Sequence, residues 1–262
     1  MTEIEFIERF LKENVGYVRE KYSGKNALTV TEKDDANDLL TEVDLTIQKR
    51  AVEQVRQHFP GDILVGEEGQ HARFPDDPDG RAWVIDPIDG TYNFVRGLFP
   101  VFGISLAFAQ GGVPVAGGVM LPIAGNLFLA ERGGGSYLNG CALQVSDVKT
   151  VAEACVDVDF CGLEDRRRLL ESASDAVCSV GQMRVHGSAV ASICQIASAD
   201  TEGYLHMSLH PWDYAAGQVI VEEAGGISSR LDGSPLKLFD RREGVLITNG
   251  AIHEEMLALI RA

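Results

Sequence analysis

The segment from Leu98 to Ala130 contains no Asp, Glu, Lys or Arg, so we expect it to lie in a membrane, in a protein core or in part at a subunit interface. It is long enough to cross a bilayer as one helix. However, two Gly-Gly pairs and the prolines Pro114 and Pro122 divide it into short pieces, which is typical of strands joined by turns. The sequence therefore predicts no membrane association and an antiparallel meander from Gly103 to Tyr137.

Helical and strand periodicities alternate in the rest of the chain. Apolar residues recur at helical spacing in residues 3–22 and 40–58, and further helices are expected near 164–177, 188–198 and 212–224. Short apolar runs predict strands at 63–65 and 83–85, and later near 154–158, 202–206, 227–230 and 245–248. This order predicts an α/β protein of layered helices and sheets, with an N-terminal half at 1–150 and a C-terminal half at 151–262.

The charge balance limits the possible partners. The 262 residues include 23 Lys plus Arg and 39 Asp plus Glu, for a formal net charge of −16. Such a surface repels nucleic acids and acidic lipids, and it would also repel a phosphorylated metabolite unless a bound cation reversed the local field. The five cysteines are odd in number and contain no Cys-x-x-Cys pair, which argues against a disulfide framework and favours a reducing cytoplasm.

Acidic residues stand at the ends of the most apolar predicted strands. Glu67 follows the strand at 63–65, Asp86 and Asp89 follow the strand at 83–85, and Asp213 opens a predicted helix. Asp86 and Asp89 flank Pro87, which interrupts the strand, so both carboxylates can face one point. Without a cation they would repel each other and one would stay protonated. Dense oxygen ligands suit Mg²⁺ or Mn²⁺ better than zinc, so the pattern indicates such a metal site.

Each of these signals also has an ordinary structural explanation. An acidic pair is commonly solvated surface, Asp89-Gly90 fits a simple turn, and Asp213 beside Trp212 fits a helix cap. The metal interpretation is favoured because several of these acids end apolar strands, where uncompensated charge is costly. Residues 90–95 are expected to begin a short helix, whose free N–H groups can meet a phosphate.

At these residues the sequence resembles the inositol monophosphatase family, in its bacterial type. The order and spacing of the matching motifs hold from about residue 5 to 255. The matching segments are Trp83–Phe94, Trp212 to Gly226, Gly66–Glu68 and Asp38–Asp44. The resemblance implies an αβαβα sandwich with an antiparallel N-terminal sheet and a smaller mixed C-terminal sheet between helix layers. It also implies a homodimer and lithium-sensitive, Mg²⁺-dependent phosphatase activity.

The resemblance also implies which residues hold metal. One Mg²⁺ would be bound by Glu67, Asp86 and the carbonyl oxygen of Ile88. A second would be bound by Asp86, Asp89 and Asp213, so that Asp86 is shared. Glu67 would help to hold a third, weaker ion, and Mn²⁺ is the alternative cation.

Roles in catalysis and substrate binding follow from the same resemblance. Asp44 and Thr91 would orient and deprotonate the attacking water, with Glu67 as a further catalytic residue and no phospho-enzyme. Gly187–Ala189 match a segment that touches the substrate beyond its phosphate. The full set of expected substrate contacts is Glu67, Ile88, Asp89, Gly90, Thr91, Gly187, Ser188, Ala189, His206 and Asp213.

The expected reaction is hydrolysis of a small phosphate monoester, nominally inositol monophosphate. Because His206 stands where animal inositol enzymes carry a glutamate, other substrates remain open: fructose 1,6-bisphosphate, histidinol phosphate, NADP and 3′-phosphoadenosine nucleotides. Lys33 either contacts the phosphate or a water on the third ion, or is a solvated loop residue. Zinc at His206 and His210 is disfavoured, since Met207 replaces the glutamate of a metalloprotease motif. The alternative of another class is a non-catalytic regulatory protein on the same fold.

Overall fold

The computed structural model describes residues 1–32, 39–75, 77–97, 99–160, 162–239 and 243–260. Among these residues, no helix combines the length and the apolar character needed to cross a bilayer. Lys33 and Asp38, named in the sequence analysis, lie outside the described ranges.

The N-terminal part contributes three helices and nine strands to the described structure. In chain order they are α1 (Glu3–Ser23), β1 (Val30–Glu32), β2 (Leu39–Thr41), α2 (Glu42–His58), β3 (Ile63–Gly66), β4 (Arg81–Asp89), α3 (Thr91–Arg96), β5 (Gly103–Gln110), β6 (Val113–Leu121), β7 (Asn126–Glu131), β8 (Gly135–Leu138) and β9 (Cys141–Ala142). β3 to β9 form a seven-stranded sheet in sequence order, while β1 and β2 form a separate antiparallel pair. In the large sheet β3 runs parallel to β4, and all the other neighbours are antiparallel.

The remaining strands form a smaller, mixed sheet. The elements are β10 (Cys155–Asp159), α4 (Leu163–Ser172), α5 (Ser174–Ser179), β11 (Gln182–Arg184), α6 (Ala189–Ala197), β12 (Gly203–Leu209), α7 (Pro211–Glu223), β13 (Ile227–Arg230), β14 (Glu243–Thr248) and α8 (His253–Leu259). The strand order is β11-β10-β12-β14-β13. β10 is parallel to both of its neighbours, whereas β14 is antiparallel to both of its own.

Helices and sheets alternate in five layers. α1 and α2 pack on one face of the large sheet, α6 and α7 lie between the two sheets, and α4 and α8 pack on the outer face of the small sheet. Three apolar clusters fill the spaces between these layers. In the outermost N-terminal cluster, Trp83 packs edge-on against Phe6 and its indole Nε1–H donates to Asp62 Oδ2 at 3.0 Å. The middle layer thus joins both sheets into one body.

Both long N-terminal helices begin with a reciprocal cap that the sequence encodes. In α1 the Thr2 N–H donates to Glu5 Oε2, and the Glu5 N–H donates back to Thr2 Oγ1. In α2 the Thr41 N–H and Oγ1–H both donate to Asp44 Oδ2. Such caps satisfy backbone donors that a helix start leaves free. The second cap also fixes the position of Asp44, one of the predicted catalytic residues.

The predicted fold class is confirmed, with differences in detail. The short strands β1, β2 and β11 were not predicted, and the large sheet contains one parallel pair. The helix expected at 164–177 divides into α4 and α5, because the backbone leaves the helical region at Ala173 (φ −122°, ψ 14°). The strand expected at 83–85 extends over Arg81–Asp89, where a register shift accommodates Pro87. The division into halves at residue 150 stays a prediction.

Candidate active site

The end of β4 brings two aspartates to one place. Asp86 still pairs with Ser105 of β5, and the register then shifts before Asp89 pairs with Gly103. The shift is a bulge at Pro87 and Ile88, because proline cannot donate to the sheet. Both aspartates are buried, at 2% and 8% exposure. Their carboxylates therefore converge at the rim of the sheet instead of alternating between its faces.

A third aspartate comes from the middle helix layer, far along the chain from the other two. Asp213 lies in the first turn of α7, where its Oδ2 accepts from the His210 N–H at 2.8 Å. One carboxylate oxygen from each of Asp86, Asp89 and Asp213 lies within 4.8 Å of the others. The large sheet and the middle helix layer therefore build one acidic centre.

Glu67 lies beside this centre at the end of β3. It lines a cavity of about 190 Å³ together with the three aspartates, Leu39, Ile88, Gly90, Thr91 and Tyr92. The neighbouring Glu68 backbone is held by Gln48 of α2, whose side chain donates to its carbonyl at 2.7 Å and accepts from its N–H at 2.9 Å. Gln48 was not identified from the sequence, since a lone polar residue on a helix gives no signal of such a contact.

Electrostatic repulsion within the cluster is strong. Burial raises the pKa of Asp86 well above its usual range, and the charges of Glu67 and Asp89 raise it further. Burial also raises the pKa of Asp89 to about 7, despite hydrogen bonds that favour the ionised form. The Oδ1 atom of Asp86 is buried and accepts no hydrogen bond from the described residues. An unsatisfied carboxylate oxygen among other carboxylates is the donor set that a hard divalent cation requires, so these residues fit Mg²⁺.

Asp44 lies next to the cluster, on α2. It is fully buried, and this burial raises the pKa of its carboxyl to about 7, although hydrogen bonds from Thr41 act in the opposite direction. The hydroxyl of Thr91 lies 2.8 Å from the carbonyl oxygen of Ile88 and 3.4 Å from Asp44 Oδ1. The structure thus brings together the pair that was predicted to act on water, next to the predicted metal ligands.

A segment of the C-terminal half closes the site around Asp89. Ser188 Oγ–H donates to Asp89 Oδ2, and the N–H groups of Ala189 and Val190 donate to the two carboxylate oxygens at 3.2 Å each. This segment packs closely against Gly90, which adopts φ +85°. A Cβ added to Gly90 would lie 3.1 Å from the Cβ of Ser188. Only glycine combines this conformation with so close a contact.

The segment is also tied to α3. Asn93 Nδ2 donates to the carbonyl oxygens of Val101 at 2.9 Å and His186 at 2.7 Å. Asn93 and His186 were not assigned any role from the sequence. Asn93 falls within the matched motif, but nothing local indicates a contact with a residue so far along the chain.

A larger cavity of about 480 Å³ extends from the acidic centre. Its walls combine Asp89 and Asp213 with aromatic and polar side chains of β12 and the neighbouring loops. His206 contributes to this wall; its Nδ1 accepts from the Ser208 N–H at 3.0 Å. Burial raises the pKa of the nearby Asp159 to about 6. Further lining residues are Tyr92, Asp159, Phe160, Arg166, Gly187, Ser188, Ala189 and Tyr204.

The predicted site residues other than Asp44, which is fully buried, line two adjoining cavities. Glu67, Asp86, Ile88, Gly90 and Thr91 line the smaller cavity, while Gly187, Ser188, Ala189 and His206 line the larger one, and Asp89 and Asp213 line both. Sequence reasoning did not identify Asp159 and Tyr204, which lie on neighbouring strands of the small sheet.

Known proteins resemble this chain over nearly its whole length. The model of the inositol monophosphatase family matches residues 1–262. A Thermotoga maritima protein named fructose-1,6-bisphosphatase/inositol-1-monophosphatase is 33% identical over 241 residues, which cover 88% of this chain and 86% of that protein. A Bacillus subtilis inositol-1-monophosphatase is 32% identical over 254 residues, covering 97% and 94% respectively.

A solved structure agrees with these matches. The Thermotoga maritima IMPase superposes with a TM-score of 0.85 at 29% sequence identity, covering 99% of this chain and 96% of that one. The sequence motifs, the layered fold and the match along the full length agree with one another. They confirm the predicted phosphatase class, and the chain belongs to the inositol monophosphatase family.

Proposed function

We propose that this protein hydrolyses a small phosphate monoester, nominally inositol monophosphate, by Mg²⁺-dependent attack of water without a phospho-enzyme. The observation that carries the proposal is the convergence of Asp86, Asp89 and Asp213 within 4.8 Å, next to a cavity large enough for a small metabolite. A chain of net charge −16 needs cations at this point to accept a phosphate.

Two Mg²⁺ fit the donors around the acidic centre. Glu67, Asp86 and the Ile88 carbonyl would hold one ion, and Asp86, Asp89 and Asp213 the other; Glu67 would take part in a weaker third. Bound Mg²⁺ acts as a Lewis acid, which makes water a better nucleophile and stabilises the leaving oxygen. Mn²⁺ prefers similar oxygen ligands and is expected to substitute.

Asp44 and Thr91 are proposed to handle the proton of the attacking water. The Thr91 hydroxyl can hydrogen-bond a water in the smaller cavity, and Asp44 is close enough to Thr91 to receive a proton through it. A carboxyl with a pKa of about 7 is well matched to a general base near neutral pH. Its burial, which shields it from bulk solvent, is what raises that pKa.

The larger cavity is proposed to bind the alcohol part of the substrate. Gly187, Ser188, Ala189 and His206 would contact this part, while Gly90 and Thr91 would contact the phosphate. An imidazole offers different hydrogen bonds from a carboxylate, so other esters deserve testing beside inositol monophosphate. The double name of the Thermotoga maritima relative makes fructose 1,6-bisphosphate the first of these.

Phosphate release from a panel of esters tests the proposal. Inositol 1-phosphate, fructose 1,6-bisphosphate, histidinol phosphate, NADP and 3′-phosphoadenosine 5′-phosphate are each incubated with EDTA, with Mg²⁺ and with Mg²⁺ plus Li⁺. We expect turnover only with Mg²⁺ and inhibition by Li⁺. If no ester is hydrolysed at any Mg²⁺ concentration while ligand binding persists, the regulatory alternative replaces the enzyme.

We also propose that the protein is a cytoplasmic homodimer. The odd number of cysteines and the lack of a Cys-x-x-Cys pair favour a reducing compartment. Phe99, Val113 and Ile123 of the charge-free segment are exposed to 54%, 40% and 38%, which leaves apolar surface for an interface. Light scattering coupled to gel filtration would give one chain mass for a monomer and twice that mass for the proposed dimer.

A further inference from the structure

An ion pair between a buried aspartate and a half-buried histidine lies next to the larger cavity and has no part in the proposed chemistry. Asp157, on β10, is completely buried, and its Oδ2 contacts the Nδ1 atom of His186, which follows β11. Burying a carboxylate is costly unless a partner compensates its charge. The close contact with the Asp157 carboxylate raises the pKa of His186, which favours the protonated imidazole at this place.

Other charged and polar groups lie around the pair. Asp157 Oδ1 is buried and accepts no hydrogen bond from the described residues, so the contact at Oδ2 carries the compensation. Asp159 on β10 also favours the protonated His186, whereas Arg184 on β11 opposes it. Ser192 Oγ, on α6, lies 2.5 Å from the same Oδ2 atom.

Both contacts of Asp157 hold the chain segment that reaches the metal site. His186 immediately precedes Gly187 and Ser188, and its carbonyl oxygen accepts from Asn93. Ser192 Oγ also lies 2.9 Å from the Ser188 carbonyl oxygen. Asp157 is therefore tied to residues on either side of the three groups that donate to Asp89.

The position of this chain segment controls the orientation of the Asp89 carboxylate. Ser188, Ala189 and Val190 present one hydroxyl and two N–H groups to Asp89, and these fix the direction of its oxygens. Groups that orient a metal ligand commonly change metal affinity 10- to 100-fold when removed. The ion pair acts one contact further out, on the segment that carries those groups.

We propose that Asp157 and His186 are positioning residues: their ion pair holds residues 186–190 in place so that Asp89 is correctly oriented to bind a divalent cation. The inference rests on the proposed function only in taking Asp89 as a ligand. Neither residue touches the substrate or the reacting atoms. The pair sets the cation affinity of the site, rather than the chemistry once the cations are bound.

The test compares His186→Gln, Asp157→Asn and the double variant with the wild type. Mg²⁺ binding is measured by titration calorimetry on the full-length protein, and phosphate release is measured against Mg²⁺ concentration. We expect each single change to raise the Mg²⁺ Kd about tenfold while kcat at saturating Mg²⁺ stays within about threefold. Because the two residues act as a unit, the double variant should bind Mg²⁺ no more weakly than either single variant does.

His253→Gln provides the matched control. His253 is another histidine of the C-terminal half; it is more deeply buried than His186 and is bonded to Ser229 and Thr248 rather than to a carboxylate. We expect it to lower Tm and leave the Mg²⁺ Kd unchanged. An unchanged Kd in His186→Gln, or equal Kd changes in both histidine variants, overturns the inference. Wild-type Mg²⁺ binding without turnover refutes only the proposed function, and the absence of binding overturns both.

Discussion

Replacing Asp86 by Asn should inactivate the protein and, without metal, make it more stable. Burial and the charges of Glu67 and Asp89 raise the pKa of Asp86 in the folded chain, while in the unfolded chain it returns to about 4. The stability associated with this carboxyl is therefore complete below pH 4 and is lost as the pH rises through the raised folded pKa. Asparagine stays neutral, so the variant escapes that loss.

The structure gives the size of the effect. Carboxylate oxygens of Asp86, Asp89 and Asp213 lie within 4.8 Å of one another. Two unit charges at such a distance repel by roughly 3 kcal/mol at an effective dielectric constant of about 20. Partial protonation limits this energy, so at pH 8 and in EDTA the variant should be about 1–3 kcal/mol more stable than wild type, or about 2–10 °C higher in Tm.

Added Mg²⁺ should counteract this difference in stability between Asp86→Asn and the wild type. At a concentration ten times its Kd, Mg²⁺ stabilises the wild type by about 1.4 kcal/mol, whereas the variant, which lacks the shared ligand, should gain little. The loss of transition-state stabilisation should lower kcat by at least about 10²–10³-fold. Calorimetric melting at pH 5 and pH 8, with EDTA or Mg²⁺, and phosphate release measure both effects.

Asp62→Asn is the control variant, for which we expect the opposite change in metal-free stability. Asp62 is an acid bonded to Arg81 and Trp83, far from the cluster, so its replacement should destabilise the metal-free protein and leave its response to Mg²⁺ intact. The reasoning fails if metal-free Asp86→Asn melts below wild type at pH 8. It also fails if that variant keeps wild-type kcat or the full Mg²⁺ shift in Tm.

Three further changes address other parts of the site. Asp44→Asn should lower kcat/KM about 10²–10⁴-fold while calorimetric Mg²⁺ binding persists, and a weaker loss would remove Asp44 as the base. Gly90→Ala should lower the free energy of unfolding, measured with urea, by about 1–2 kcal/mol because of the positive φ, and the added Cβ should also disturb Ser188. Its control is Gly133→Ala: Gly133 has φ +74° and no atom within 4 Å of an added Cβ, so this change should destabilise the protein less and leave its activity intact. His206→Glu should raise kcat/KM for inositol monophosphate about tenfold relative to the other esters, and equal changes for all esters would contradict a specificity role.

Much of the candidate site could be predicted because its residues belong to short chain segments. Asp86, Ile88, Asp89 and Thr91 lie at or just after the end of one apolar strand, where charge without a partner is costly, and the same segment carries the family motif. The family, the fold class and the phosphatase class are confirmed. The roles of the individual residues stay predictions until variants are measured.

The other contacts that support the site join residues far apart in the chain, so they leave no local sequence pattern. Gln48 reaches the backbone of Glu68 from another element, and Asp157 meets His186 across two strands. Such pairs have no periodicity, because only the tertiary fold brings the partners together. The strand β11 was missed for a related reason: its three residues are all exposed, so no alternation of apolar and polar side chains marks it.

The middle helix layer has a consequence for how activity is acquired during folding. Glu67, Asp86 and Asp89 end strands of the large sheet, but Asp213 and the donors to Asp89 arrive with α7 and α6. A nascent chain that has completed only its first sheet would carry a bare acidic rim. Contacts between segments so distant in sequence generally form late. Recovery of phosphatase activity should then lag behind recovery of secondary structure after dilution from denaturant, so that enzyme assays report the final docking of the two sheets.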